Sequence, residues 1–163
     1  MPPAKTAATE IVASGSRQLV IFTLAGEDYA LPIACIQEVI RYTKPRDVLS
    51  PDPSVTGVVD LRGKIVPVCD LASRLGVPGT DSEDRKIVIL ETDQATAGVI
   101  VDAVDQVILI QDSQLERSPA SNTNIVEAIA RLNDRLVVLL NTDTLVSSTA
   151  RIADQADVLP QAA

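Results

Sequence analysis

The chain alternates short apolar runs with turn-forming residues over most of its length. Eight runs are rich in valine, isoleucine and leucine and have the length of strands, at residues 19–24, 29–33, 55–61, 65–70, 86–92, 97–101, 107–110 and 136–140. Glycine, aspartate and asparagine bound most of them, as at Arg62-Gly63 and Asn133-Asp134. Short strands at close intervals favour antiparallel barrels or sandwiches over alternating strand–helix units. The sequence therefore predicts a mainly β protein.

The chain also repeats its own apolar pattern. A shift of 68 positions places residues 19–22 on 87–90 and residues 31–40 on 99–108, so that apolar positions fall on apolar positions. A shift of 71 positions places residues 61–68 on 132–139, and the turn Arg62-Gly63 then falls on Asn133-Asp134. Three blocks in the same order at nearly one offset indicate an internal duplication.

Each copy contains enough short strands for one small barrel. We predict two five-stranded SH3-like or OB-like barrels with short helical segments, formed by residues 17–76 and 85–146 and joined by a connector at 77–84. Residues 1–16 are predicted to be a flexible tail, and residues 147–163 a C-terminal tail or frayed helix. A half of about 65 residues buries little surface alone. The two barrels should therefore pack together, with a groove between them for a partner or ligand.

Composition and charge exclude several classes of function. The chain has 22 acidic and 14 basic residues, a net charge of −8, and no histidine. Histidine catalysis and histidine metal ligation are impossible, and the acidic balance disfavours nucleic acid and anionic membranes. The sequence contains no phosphate-binding glycine loop, nucleophile elbow or metalloprotease motif. We expect no enzyme, metal or cofactor, and a reduced cytoplasmic protein in which Cys35 and Cys69 are small buried hydrophobes.

Two apolar segments carry candidate interaction residues. Arg62 stands at the tip of a predicted hairpin, where it either keeps the turn solvated or offers a planar donor to a protein partner. Residues 33–40 hold apolar side chains at a helix-like spacing that suits core or interface. These side chains are Ile33, Ile36, Val39 and Ile40. Glu38 lies among them and is the nearest acidic candidate to pair with Arg62.

Residues 57–71 form the most distinctive block of the chain. It begins with Gly57 and an aliphatic pair, continues as Asp60-Leu61-Arg62-Gly63, and ends with an Ile-x-Pro-Val-x-Asp-Leu run at 65–71. This block resembles the signature of the CheW-like family of chemotaxis coupling proteins, in which asparagine is usual at the position of Asp60. Residues 19–24, 29–40, 98–104 and 135–143 resemble the other blocks of the family. The resemblance runs in unbroken order from about residue 17 to residue 146.

The resemblance implies the paired-barrel fold and a non-enzymatic adaptor of bacterial chemotaxis signalling. Such an adaptor joins the cytoplasmic tips of chemoreceptors to the regulatory domain of a CheA-type histidine kinase, and can form rings with that domain or with itself. It also implies a cytoplasmic protein recruited to receptor arrays at the inner face of the membrane, without direct binding to lipid or nucleic acid. A coupling module of a non-flagellar pathway, such as twitching motility, and a small-ligand-binding double barrel are the alternatives.

The resemblance also implies where the two partners bind. The receptor would lie in a groove between the barrels. Its contacts would be Val20, Ile33, Ile36, Glu38, Val39, Arg62 and Val104. The kinase would contact Val48 and Leu49, in the loop before the strand predicted at 55–61. If the carboxylate of Asp60 pairs with Arg62, the arginine is less available to a partner.

Overall fold

A computed structural model describes residues 15–49, 54–116, 125–154 and 157–158. The strands, β1 to β13 in chain order, are Ser16–Leu24, Glu27–Pro32, Ile36–Arg41, Val48–Leu49, Val55–Leu61, Lys64–Asp70, Lys86–Glu91, Thr96–Val101, Ala103–Gln111, Leu115–Glu116, Val126–Leu132, Arg135–Leu140 and Asp157–Val158. Short 3-10 helices at Ile33–Cys35 and Asp112–Gln114 precede β3 and β10. The α-helices are α1, Leu71–Leu75, and α2, Thr142–Asp154. The prediction of a mainly β fold with short helical segments is confirmed.

Two main sheets contain most of these strands. The first sheet has the order β10-β11-β12-β2-β1-β9 and the second has the order β3-β7-β8-β6-β5. The first sheet thus has six strands where five were predicted. A separate ladder joins β4 to β13, with Leu49 opposite Asp157 and Val48 opposite Val158.

Each sheet takes strands from both halves of the chain. In the first sheet, β12 runs parallel to β2, with Leu139 opposite Ala30. In the second sheet, β6 runs parallel to β8, with Cys69 opposite Val99. The prediction that residues 17–76 form one barrel and residues 85–146 the other is therefore wrong. The duplication is real at the level of strand order, but the two copies exchange strands with each other.

Both sheets curl until their edges approach one another. In the second sheet the edge strands β3 and β5 supply Ile40 and Leu61 to one apolar cluster. The chain after β3 then pairs with β5, because Arg46 and Val58 exchange two backbone hydrogen bonds of 2.8 and 2.9 Å. In the first sheet the chain leaves β9 and enters β10, which pairs with β11. Each sheet is therefore closed in the manner of a small barrel.

Three apolar clusters fill the molecule. The interior of the first sheet contains Leu19, Ile21, Ala30, Ile110, Ala128, Ala130, Val137 and Leu139. The interior of the second sheet contains Val59, Val66, Val68, Ile87, Ile89 and Ile100. The third, here called the central cluster, lies between the sheets and includes Phe22, Tyr29, Leu31, Val88, Leu90, Val99, Val101 and Leu145. Burial of the central cluster holds the two sheets together as one unit.

Helix α2 contributes to that central cluster. Asn141 begins it by accepting a hydrogen bond on Oδ1 from the backbone N–H of Thr144 at 3.1 Å. Leu145 and Val146 are fully buried against the sheets. The predicted boundary between residues 146 and 147 is wrong, because it falls inside this helix. Residues 1–14 and 159–163, which belong to the predicted tails, lie outside the described residues.

Candidate functional site

Arg62 occupies a strained position at the tip of the β5–β6 hairpin. Its φ is 54° and that of Gly63 is 88°, so both central residues of the turn are left-handed. This is the type I′ geometry whose twist suits a two-residue hairpin, and it favours asparagine or glycine over arginine. Because this conformation is unfavourable for arginine, we interpret Arg62 as a residue whose side chain has a functional role.

Asp60 stabilises the turn instead of pairing with Arg62. Its Oδ1 accepts a hydrogen bond from the backbone N–H of Gly63 at 2.7 Å. An asparagine oxygen could accept the same bond, so the replacement of the family's usual asparagine leaves the turn intact. The guanidinium of Arg62 remains available to another carboxylate.

That carboxylate belongs to Glu38 on β3. Nη1 of Arg62 donates to Oε1 of Glu38 at 3.2 Å, and Nη2 donates to Oε2. The hydrogen bond from Arg62 lowers the pKa of the Glu38 carboxyl, and the same contact raises the pKa of Arg62. The ion pair joins the β5–β6 turn to β3, as the sequence suggested. Because the side chain of Arg62 is 66% exposed, a partner can reach the guanidinium.

The titration of Glu38 provides a direct test of this pair. Its pKa is lowered in the folded protein, so the ion pair is complete above the ordinary range of a glutamate and is lost as pH falls through the lowered value. In Arg62→Gln, the Glu38 carboxyl should titrate at higher pH than in the wild type. Carbon-detected NMR of the Glu38 carboxyl measures both midpoints. Equal midpoints would show that the two side chains do not pair in solution.

The predicted helix-like spacing at residues 33–40 has a different structural origin. Only Ile33–Cys35 is helical, as one 3-10 turn, and Ile36 begins strand β3. A bulge between Ile36 and Glu38 adds one residue to the strand. Ile36 and Val39 therefore lie on the same face although they are three positions apart, opposite Leu90 and Val88 of the central cluster. Ile36 packs against that cluster, whereas Val39 is 41% exposed.

The first sheet repeats this arrangement at the duplicated positions. A bulge between Ile21 and Phe22 in the β1–β9 pairing places Val104 opposite Phe22 and Val107 opposite Val20. Val104 packs against the central cluster and Val20 is buried, but Val107 is 52% exposed. Sequence reasoning missed Val107 as a surface residue. The internal repeat could have identified Val107, because the shift of 68 places Val39 on Val107.

The groove predicted between the barrels stays a prediction. The central cluster takes side chains from both sheets and fills the space between them. Val39 and Val107 are exposed on strand faces that also contribute to the cluster, and Ile33 is exposed in the 3-10 turn before β3. Val20 is buried, and Ile36 and Val104 pack against the central cluster. The predicted receptor residues thus differ in burial: some are exposed and others are packed in the molecule.

The segment predicted to contact the kinase forms strand β4. The backbone of Val48–Leu49 pairs with Asp157–Val158 near the end of the chain. A shallow cleft of about 260 Å³ is lined by Lys44, Arg46, Val58 and Ile65. Lys44 and Arg46 belong to the segment that leads into β4. Ile65 is well exposed there.

Other kinds of site find little support in the described ranges. Within them, no group of three or more acidic, cysteine or histidine side chains is arranged to hold a metal ion. None of the helices described is both long and apolar enough to cross a membrane. Cys69 is buried as predicted, but Cys35 is only half-buried in its 3-10 turn, so that prediction is wrong for Cys35.

The fold and surface define a class of protein with two strand-exchanged β-barrels and exposed apolar edge strands. A family model described as a CheW-like domain matches residues 18–150, and the chain belongs to this family. It is 28% identical over 147 residues to the chemotaxis protein CheW of Bacillus subtilis, covering 85% of this chain and 94% of that one. It is 28% identical to CheW of Klebsiella aerogenes, covering 81% and 82%. The crystal structure of the scaffolding protein TtCheW from Thermoanaerobacter tengcongensis matches with a TM-score of 0.72 and 35% identity, covering 77% of this chain and 88% of that one. The resemblance to chemotaxis coupling adaptors is confirmed.

Proposed function

We propose that this chain joins the cytoplasmic tips of chemoreceptors to the regulatory domain of a CheA-type histidine kinase, and catalyses no reaction itself. The observation that carries this proposal is the set of exposed apolar side chains at Ile33, Val39 and Val107, together with an exposed arginine in a strained turn that pairs with Glu38, the neighbour of Val39 on β3. The same residue types suit a protein interface, where aliphatic anchors supply the binding energy and an arginine fixes orientation.

The receptor would bind by laying a helical hairpin on the exposed apolar surface. Val39 and Ile33 serve as anchors, whereas Val20 is buried and Ile36 and Val104 pack against the central cluster. Arg62 and Glu38 lie at the β5–β6 side of β3, where the guanidinium can form a further hydrogen bond to the receptor. Val20, Ile36 and Val104 are already packed in the free protein, so binding requires little ordering of side chains.

The kinase would bind at a different surface, around Val48 and Leu49. The cleft lined by Arg46, Val58 and Ile65 adjoins this segment and offers a concave, partly apolar surface. Separate surfaces let one adaptor hold receptor and kinase at the same time, as alternation with the kinase domain in rings requires. We infer that the chain acts in the cytoplasm, at receptor arrays, with no contact to lipid or nucleic acid.

Truncation of Val39 tests the receptor surface. Because Val39 is 41% exposed, Val39→Ala should leave the unfolding midpoint nearly unchanged. It should weaken binding to a soluble receptor-tip hairpin by about tenfold, through loss of apolar contact. Isothermal titration calorimetry measures receptor affinity, and the same titration with the kinase regulatory domain should show no change.

Leu136→Ala is the matched control, since Leu136 is an exposed aliphatic residue on β12, away from β3. It should bind receptor and kinase as the wild type does. The complete function is tested by mixing receptor tips, kinase and adaptor, and measuring kinase autophosphorylation. A wild-type chain that binds neither partner, or that fails to change autophosphorylation in the mixture, would contradict the proposal.

A further inference from the structure

The two duplicated edge strands differ in charge at one pair of positions. In the first sheet, Leu109 of β9 lies opposite Gln18 of β1. The shift of 68 relates this pair to Arg41 of β3 and Lys86 of β7, which lie opposite each other in the second sheet. The two copies thus present a neutral pair on one sheet and two cations on the other.

Arg41 and Lys86 share a face with Val39. Arg41 is two residues beyond Val39 on the same strand, and Lys86 is two residues before Val88, the partner of Val39. Alternation along a strand therefore directs the two cations toward the same side as Val39. Arg41 is exposed and Lys86 half-buried, so the pair lies beside Val39 at one end of the proposed receptor surface.

Two like charges oppose each other in this arrangement. Directly opposed residues of an antiparallel pair have Cβ atoms about 5 Å apart, and like charges in this position are destabilising. Neither side chain forms an ion pair or hydrogen bond with another side chain in the described part of the chain. A carboxylate placed between them would relieve the repulsion and gain two charge-assisted hydrogen bonds.

We propose that Arg41 and Lys86 form a clamp for an acidic side chain of the receptor helix that lies on Val39. The inference rests on the proposed receptor surface. It adds that the receptor residue lying at the Arg41 end of this surface is acidic. A net charge of −8 on the whole chain would repel an acidic partner at long range. The two cations offset this repulsion locally and fix where along the helix the acidic residue lies.

Neutral variants give opposite effects on binding and on stability. Lys86→Gln reproduces the residue type found at the duplicated position, and Arg41→Gln removes the opposing charge. In the full-length double variant, affinity for a soluble receptor-tip hairpin should fall about tenfold, and its dependence on ionic strength should weaken. The unfolding midpoint should stay the same or rise, because a repulsive pair has been removed. Binding of the kinase regulatory domain should not change.

Arg131→Gln is the matched control. It removes the same charge from an exposed arginine, but on β11 of the first sheet, and should leave receptor binding unchanged. Wild-type affinity and salt dependence in the double variant would overturn the clamp, while leaving the proposed function intact. A lowered unfolding midpoint would show instead that the two cations stabilise the fold, and weakened kinase binding would assign the acidic partner to the kinase; either result overturns the inference. A wild-type chain that does not bind the receptor hairpin would refute the proposed function itself.

Discussion

Gly57→Ala should lower the free energy of unfolding by about 3 kcal/mol. A Cβ at this position would lie 2.0 Å from the carbonyl oxygen of Arg46 and 2.7 Å from its carbonyl carbon. Both obstacles are backbone atoms, so no side-chain rotation can relieve the contact. The same Arg46 carbonyl accepts a hydrogen bond from Val58. Accommodating a methyl group therefore requires the segment after β3 to move away from β5, which opens the second barrel.

Chemical denaturation followed by far-ultraviolet circular dichroism measures this loss. Gly26→Ala is the control, because Gly26 also has a positive φ, 78°, but a Cβ there would meet no atom within 4 Å. Gly26→Ala should lower the free energy of unfolding by about 1 kcal/mol, because an alanine in the left-handed region strains the backbone. Similar losses in the two variants would show that the close approach of Arg46 is not the reason for the glycine. The stronger loss in Gly57→Ala should be accompanied by weaker kinase binding, since Arg46 leads directly into β4.

The strands were predictable because the pattern of apolar residues records burial on one or both faces. The predicted run at 55–61 coincides with β5, and the run at 97–101 differs from β8 by one residue. Among the strands longer than two residues, β3 and β11 are absent from the eight predicted runs, for two different reasons. In β3 a bulge turns the usual alternation into a three-residue spacing that imitates a helix. In β11 the apolar pattern is weaker, since Glu127 and Arg131 interrupt it.

The exchange of strands could not be predicted from the repeat. An internal offset establishes that two segments share a pattern, but each copy offers the same edges. Sequence alone therefore does not distinguish pairing within a copy from pairing between copies. β6 pairs on one side with β5 of its own half and on the other side with β8 of the other half, and the sequence does not specify the second of these partners.

The candidate site was predictable to a similar degree. The turn residue Arg62 and its partner Glu38 were both found, because an arginine at a hairpin tip and an acidic residue among aliphatics stand out from their surroundings. Which aliphatic residues are exposed was not predictable, since Val20 and Val39 have identical side chains in similar strands. Their difference comes from position in the sheet: Val20 lies on the interior strand β1, and Val39 lies on the edge strand β3.

Division of the chain in its connector should abolish folding of both pieces. The fragments 1–80 and 81–163 separate β1 from its partner β9, and β6 from its partner β8. Neither fragment can complete a sheet or assemble the central cluster, which takes Phe22 from one and Val99 from the other. Each alone should show the circular dichroism of an unfolded chain.

Mixed in equal amounts, the two fragments should recover the β spectrum and the dispersed amide NMR signals of the intact protein. The cut lies between Thr80 and Asp81, which are exposed, so it removes no buried contact. The control is the full-length protein with a protease site introduced at this position. Cut after it has folded, it should stay folded. If either fragment folds alone, each half is self-sufficient and the exchange of strands is not required for stability. Recovery only on mixing would show instead that a β-unit of this size becomes stable by completing the sheet of its duplicate.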